Sequence, residues 1–440
     1  MAPSADSDPI AALFARGHFG IKLGLDNIRA LCEALGHPER AAPSVIVAGT
    51  NGKGSVVAMV AAALSAAGYR TGRYTSPHLV SLEERFAIDG RPATSGQVSD
   101  ALARAFAAER VLRQAGGLAV DATFFELATA AAFELFRRAA VDIAVLEVGL
   151  GGRFDATNVA EPRVGAITTI DLDHMAHLGE GLPQIAFEKA GVIKPGMTVV
   201  VGERKPEALD VIERVAHEQG ATLLRARDRA SARAEIADGR TFVTLRTPAH
   251  DYGRVPLALG GRHQADNALV AVRVLESLSG RGFPVGAPAI AHALAHTEWP
   301  GRLQLVELAG SRAALLDAAH NVAGAATLAA YLRETWPVPA PLVFGVMRDK
   351  DARGMLAALG GSVSRVIFTA PPIDRATAPG ELLELARAIG LGAPAEAAPS
   401  IDEALARAFR HGPRIVVAGS IFLLGEVLPR LAPAATPGPR

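Results

Sequence analysis

At 440 residues the chain exceeds the size at which one hydrophobic core keeps growing, so two domains of unequal size are expected. Half of the residues are hydrophobic but only 5% are aromatic, which describes an aliphatic, alanine-rich core of helices stacked on a β-sheet. Lys plus Arg and Asp plus Glu balance at 45 each, excluding the basic footprint of a nucleic-acid binder and leaving any polyanion to be held locally.

In chain order, Met1-Ala-Pro-Ser-Ala-Asp-Ser-Asp lacks the basic and apolar regions of a signal peptide. No apolar stretch reaches membrane-spanning length, so a cytoplasmic location without a membrane partner is expected. The first eight residues and the Pro- and Ala-rich tail Ala432–Arg440 are expected to be disordered. The single cysteine, Cys32, excludes an internal disulfide framework and sits in an apolar helical pattern, where it packs in the core.

From Val45 onward, apolar runs of strand length alternate with helical patterns, the signature of an α/β protein with a mainly parallel sheet. Strands are predicted at Val45–Ala48, Ile143–Val148, Val164–Ile170 and Thr198–Val201, and helices at Ser55–Ala67, Phe124–Arg138 and Leu182–Ala190. Thr222 to Leu259 carries shorter β-like pieces and reads as a small antiparallel addition to the first domain. Helices follow at Asn267–Leu278 and near Pro288–Ala295. After Glu298-Trp-Pro-Gly-Arg the alternation restarts, with strands at Ala314–Asp317, Leu342–Val346, Arg365–Thr369 and Ile415–Ala418. A domain boundary at Thr297 is therefore expected, dividing 1–297 from 298–431.

The most informative segment is Val45-Ile-Val-Ala-Gly49-Thr50-Asn51-Gly52-Lys53-Gly54-Ser55. A strand runs into glycines that let a ligand approach the main chain, and the helix that follows points its N–H groups and positive dipole end at an anion. Lys53 supplies a compact charge for phosphates, and Thr50 and Ser55 offer hydroxyls to phosphate or Mg²⁺. The glycine spacing is tighter than in the usual G-x-x-x-x-G-K-[ST]. An ordinary glycine-rich turn is the alternative reading.

Mg²⁺ needs hard oxygen ligands, and Glu147 stands in an otherwise apolar strand where an ionised group must be coordinated or paired, for instance with Arg153. Asp171-Leu-Asp-His174 follows another strand at the end where open α/β sheets bind ligands. His174 is read there as a metal ligand or orienting group, with helix capping as the bland alternative. Ser76 in Thr-Ser-Pro-His78 offers a further oxygen. Lys189 lies at a helix end, a position the dipole favours without function. In the second half, Asp317-Ala-Ala-His320-Asn321 opens a helix after a strand, and Arg302 is a cation that domain closure would bring onto a transferring phosphoryl group.

Together, Gly49–Ser55, Tyr74-Thr-Ser-Pro-His-Leu79, Leu146-Glu-Val-Gly-Leu-Gly-Gly-Arg-Phe-Asp-Ala-Thr-Asn158, Asp171–His174, Glu188-Lys-Ala-Gly191, Pro300-Gly-Arg302 and Asp317–Asn321 resemble the folylpolyglutamate synthase and dihydrofolate synthase family. The resemblance implies an N-terminal P-loop domain of the Mur-ligase type, a smaller C-terminal Rossmann-like glutamate-ligase domain, and ATP-dependent amide ligation. It implies that Thr50 to Lys53 hold the ATP phosphates, with Asn267, Arg302 and Asp317 making further ATP contacts and His320 in the catalytic group. It also implies that Ser76, Glu147 and His174 are Mg²⁺ ligands, and that a carbamylated Lys189 helps bind a second Mg²⁺. Ile21, Lys22, Leu23, Thr123, Phe124, Phe125, Glu126 and Phe154 match positions that contact the pterin.

Two departures stand out: Val322 replaces the usual proline after His-Asn, and Phe154 replaces a common leucine. The implied substrates are dihydropteroate, reduced folates and L-glutamate, in a monomer without nucleic-acid partners. A cell-wall Mur ligase is the nearest alternative, but those enzymes usually read Lys-Thr-Thr or Lys-Thr-Ser where this chain has Lys-Gly-Ser. A nucleotide-dependent switch is the other, and the guanine-reading Asn-Lys-x-Asp is absent from the sequence.

Overall fold

The computed structural model describes residues 8–18 and 24–431. The chain forms two compact units. One comprises Met1–Arg233, Val243–Pro256 and Gln264–Thr297; the other comprises Ala234–Phe242, Leu257–His263 and Glu298–Arg440.

The first unit is built on an eight-stranded sheet. Its strands are β1 (Ser44–Ala48), β2 (Thr71–Tyr74), β3 (Phe86–Ile88), β4 (Arg91–Pro92), β5 (Ile143–Glu147), β6 (Pro162–Ile167), β7 (Thr198–Val201) and β8 (Thr222–Arg225). They lie in the order β4-β3-β2-β5-β1-β6-β7-β8, parallel from β2 to β8, with β3 and β4 antiparallel at one edge. Val45-Ile-Val47, Ile143-Ala-Val145 and Val199-Val-Val201 are buried throughout, as continuous apolar strands covered on both faces must be. Register aligns Val47 of β1 with Glu147 of β5 and with Ala166 of β6, so the loops after all three strands emerge together.

Helix Phe124–Arg138 starts with a capping box in which Thr123 and Glu126 satisfy each other's backbone N–H groups. It packs so closely on β2 that a Cβ at Gly72 would lie 2.8 Å from the Phe136 ring. Only glycine fits there. Cys32 is a buried free cysteine in helix Asp26–Ala34, as core packing requires.

Three sequence expectations need correction or restriction. Thr222–Arg225 does not belong with the following β pieces, because it adds to the main sheet in parallel beside β7. The strands β9 (Ser231–Ala237), β10 (Arg240–Arg246) and β11 (Asp251–Leu257) make the separate small sheet, and its residues are divided between the two units. Asp8 is ordered, because its carboxylate caps helix Pro9–Ala15 by accepting from Ile10 N at 3.0 Å. The expectations for residues 1–7 and 432–440 lie outside the described residues.

The second unit carries a six-stranded sheet of β12 (Gln304–Leu308), β13 (Arg312–Asp317), β14 (Ala340–Phe344), β15 (Val363–Phe368), β16 (Ala395–Ala397) and β17 (Arg414–Ala418). The order is β12-β13-β17-β14-β15-β16, parallel apart from β12, with helices between the parallel strands. Phe344 and Phe368 meet edge to face at 6.2 Å, both fully buried. Among the described residues, no helix is long and apolar enough to cross a membrane.

Removing a ring from this core should be costly. Phe368→Ala is expected to destabilise the second unit by about 3–5 kcal/mol, read as a lower denaturant midpoint of its unfolding transition.

Candidate functional site

The loop after β1 is closed against the end of β6. Thr168 N donates to Ala48 O at 2.9 Å and Thr50 N donates to Thr169 O at 2.6 Å. The Thr168 and Thr169 hydroxyls both donate to Asn51 O, at 2.7 and 3.2 Å. Gly49, at φ 144°, has no room for a side chain, since a Cβ would fall 1.8 Å from Thr168 Oγ1. Gly52, at φ 88°, is covered by Asn267, whose Oδ1 would be 2.4 Å from a Cβ. These contacts turn the chain sharply into helix Lys53–Ala66.

Two lysines converge on this loop. Lys53 Nζ donates to Gly49 O and Thr50 O, each at 3.1 Å, and Lys189 Nζ donates to Gly49 O at 2.9 Å. Lys189 is buried at the end of helix Leu182–Ala190. Asn267 Nδ2 donates to Gln264 Oε1 at 2.8 Å, and Gln264 Nε2 donates to Ser55 Oγ at 3.2 Å, so helix Gln264–Ser279 closes the other side. The Lys53 ammonium, a turn of main chain and a helix N-terminus together suit a local anion site in a chain of zero net charge, with Lys189 Nζ held against the same carbonyl.

Glu147 ends β5 with its Oε2 accepting from Ser76 N at 3.2 Å, and Ser76 Oγ is buried without a hydrogen-bond partner. Arg73 and Arg85 are among the cations whose fields act with Glu147. Arg153 is not its partner, because that guanidinium lies over the rings of Phe154 and Phe187, 5.2 and 5.1 Å from their centroids. His174 takes a left-handed backbone conformation and sits beside Asp173, Nε2 to Oδ1 3.9 Å. Among the described residues, no group of three or more His, Cys, Asp and Glu is gathered for a metal. An oxygen site at Ser76 and Glu147 therefore draws on a hydroxyl and one carboxylate.

The Gly-Leu-Gly-Gly-Arg-Phe-Asp segment is folded by Asp155. Its buried carboxylate accepts from Gly149 N and Leu150 N at 2.9 Å and from Thr157 N at 3.0 Å; burial pushes it up, and these hydrogen bonds oppose the shift. Asn158 Nδ2 then donates to Arg153 O and Gly191 O, which ties the loop to the helix carrying Lys189. Phe125 lies directly under Gly149, whereas Phe154 is 38% exposed. Phe124 stacks under Arg85 at 5.0 Å and meets Phe14 at 5.8 Å. Ile21, Lys22 and Leu23 lie outside the described residues.

In the second unit the turn at Pro300-Gly-Arg is stitched onto the end of β13. Ala318 N donates to Gly301 O at 2.8 Å, and Asp317 accepts from Leu303 N at 2.9 Å and Ala319 N at 3.0 Å. Arg302 thus faces Asp317, whose carboxyl is pushed up by burial and held back by Arg302. His320 is oriented by a 2.8 Å contact between its Nδ1 and Ala318 O, and Asn321 caps helix Val322–Thr335.

A family model described as "Mur ligase middle domain" matches residues 47–275, and one described as "Mur ligase, glutamate ligase domain" matches 301–421. The dihydrofolate synthase/folylpolyglutamate synthase of Mycobacterium tuberculosis is 38% identical over 362 residues, covering 78% of this chain and 74% of its own. That of Bacillus subtilis is 32% identical, covering 97% of this chain and 99% of its own. The chain belongs to the folylpolyglutamate synthase family of Mur ligases. Among solved structures, M. tuberculosis folylpolyglutamate synthase complexed with ADP matches with a TM-score of 0.89 at 33% identity, covering 97% of this chain and all of the other. Escherichia coli FolC in complex with DHPP and ADP matches at 0.83 and 30%, covering 97% and 98%.

For this family member, sequence reasoning missed Gln264, Thr168 and Thr169, and the pair Arg73 and Arg85. The Thr-Thr at the end of β6 was the one usable signal, because hydroxyls at a strand terminus are placed to cap a neighbouring loop. His78 was also undervalued. Its Nδ1 accepts from Arg85 Nε at 2.9 Å, and burial, with Arg85 beside it, lowers its pKa from 6.5 to about 4.

The folded state thus penalises protonated His78. Its contribution to stability is complete above the unfolded value of 6.5 and is lost as pH falls toward 4. His78→Gln should flatten that part of the acid limb, seen by comparing denaturant midpoints at about pH 7.5 and about pH 4.5.

Proposed function

We propose that the chain is an acid–amino-acid ligase that uses ATP to join L-glutamate to 7,8-dihydropteroate and to the terminal γ-carboxylate of reduced folates. The observation that carries this reading is the convergence of Lys53 and Lys189 on the Gly49 carbonyl of a loop closed at a helix N-terminus. Residues 1–297 serve as the ATP-binding domain and 298–431 as the glutamate-ligase domain.

A carboxylate is a poor electrophile in water. Its oxygen therefore attacks the γ-phosphorus of ATP, the bond to the bridging oxygen breaks, and an acyl phosphate and ADP result. The glutamate amine then adds to the acyl carbon, loses a proton, and the tetrahedral intermediate expels phosphate to leave the amide. No side-chain nucleophile is needed. Gly49 to Ser55 cradle the phosphates through backbone N–H groups, and Lys53 offsets the charge that accumulates on the phosphoryl oxygens. Asn267, Arg302 and Asp317 are assigned to ATP, with His320 beside them in the sequence motif. Thr123, Phe124, Phe125, Glu126 and Phe154, together with residues 21–23, are assigned to the pterin.

The buried, unpartnered Ser76 Oγ beside Glu147 fits a hard cation. Ser76, Glu147 and His174 would hold Mg²⁺, which when bound supplies positive charge to the phosphates. Lys189, carboxylated on Nζ, would contribute an oxygen to a second Mg²⁺.

The decisive assay is ADP release with glutamate and either dihydropteroate or tetrahydrofolate, and silence with one acceptor removes that activity. Lys53→Ala and Glu147→Gln should each lower turnover at least about 100-fold while leaving thermal unfolding within a few degrees. Loss of fold together with activity would make them scaffold instead. For Lys189, bicarbonate-dependent activity or a carbamate adduct supports the modification, and an unmodified amine in active, metal-loaded protein removes it.

A further inference from the structure

Behind the phosphate loop lies an ionic contact that the mechanism above does not use. Asp171, just past β6, grips the loop at three points. Its Oδ2 accepts from Asn51 Nδ2 at 3.2 Å, its N–H donates to Thr50 Oγ1 at 3.0 Å, and Thr50 Oγ1 donates back to Asp171 O at 3.2 Å. On the other side, Lys205 Nζ donates to Asp171 Oδ1 and to Ile170 O, both at 2.6 Å.

Lys205 stands at an unfavourable place for a cation. It is the N-cap of helix Pro206–Glu218, where the dipole repels positive charge. Its ammonium turns away from that helix toward two acids, Asp171 and, at 4.0 Å, Glu203. Glu203 is already occupied by the backbone N–H groups of Ile170, Arg204 and Lys205. Asp171 is therefore the group whose charge Lys205 chiefly answers. A carboxylate this close to a polyphosphate site would repel the ligand if left uncompensated.

We propose that Asp171 and Lys205 form a charge-compensated latch on the nucleotide loop: Asp171 positions Asn51 and Thr50, and Lys205 cancels the carboxylate charge so that the anchor does not cost nucleotide affinity. Both are positioning residues. The latch rests on the reading that this loop binds ATP, and it predicts a sign that a merely structural ion pair does not share.

Calorimetric titration of the full-length protein with ADP, at low salt and with Mg²⁺ present, tests it in wild type, Lys205→Met, Lys205→Arg, Asp171→Asn and the Asp171→Asn/Lys205→Met double variant. Lys205→Met should weaken ADP about tenfold, Lys205→Arg should stay within about twofold of wild type, and Asp171→Asn within about threefold. The double variant should recover to the level of Asp171→Asn, and the Lys205→Met defect should shrink as salt rises. A double variant as weak as Lys205→Met, or all four variants within about twofold of wild type, overturns the latch while leaving the ATP reading intact. Wild type that binds no ADP overturns the reading beneath it. Lys205→Gln repeats the neutralisation should Lys205→Met fail to fold.

Discussion

Everything in the first unit's site depends on the closure of one loop against one strand end. Thr168 N donates to Ala48 O and Thr50 N donates to Thr169 O across the ends of β1 and β6, and the space left over is too small for a side chain at position 49. Once Gly49 is held there, its carbonyl becomes the common acceptor for Lys53 and Lys189. Lys189, five strands further along the chain, is thereby brought against the same loop as Lys53. The glycine spacing that fits the common P-loop poorly reflects this tight closure.

Three carboxylates show how the fold assigns different work to the same chemical group. Asp155 is surrounded by backbone N–H donors and serves as the internal template of the Gly-Gly-Arg-Phe loop. Asp317 balances burial against Arg302 and two N–H groups, which fastens the Pro300-Gly-Arg turn to β13. Glu147 instead accepts from Ser76 N in the fields of Arg73 and Arg85, with an unsatisfied hydroxyl beside it. The last arrangement leaves the Ser76 hydroxyl buried without a partner beside a carboxylate.

Much of the architecture was legible because its signals are local. Val45-Ile-Val47 and Ile143-Ala-Val145 are apolar runs bounded by glycine or polar residues, and such runs have few alternatives to buried parallel strands. Helices Ser95–Gln114 and Pro206–Glu218 were not read, although Thr94 with Gln97 forms a capping box that announces the first. The Thr123–Glu126 motif, expected from resemblance to contact the pterin, caps a helix in the fold. Thr222–Arg225 was misread because its place beside β7 is decided by a neighbour that short-range pattern cannot supply, whereas Asp8, an N-cap bonded to Ile10 N directly before Pro9, carried a local signal that was passed over.

The amino-acid sequence by itself determined the strand–loop–helix that makes the anion site, the alternation that makes two α/β sheets, and the ordered motifs that place the chain among the folylpolyglutamate synthases. Those are properties of adjacent residues, where backbone preference and apolar periodicity act. Tertiary structure alone decided that Lys189 reaches Gly49, that Gln264 and Asn267 close on Ser55 and Gly52, and that Arg73 and Arg85 act on Glu147 while Arg153 lies over Phe154 and Phe187. It also joined Lys205 to Asp171 behind the loop. The physical reason is range: hydrogen bonds and buried charges choose partners by distance in space, and these partners come from strands and helices far apart in sequence.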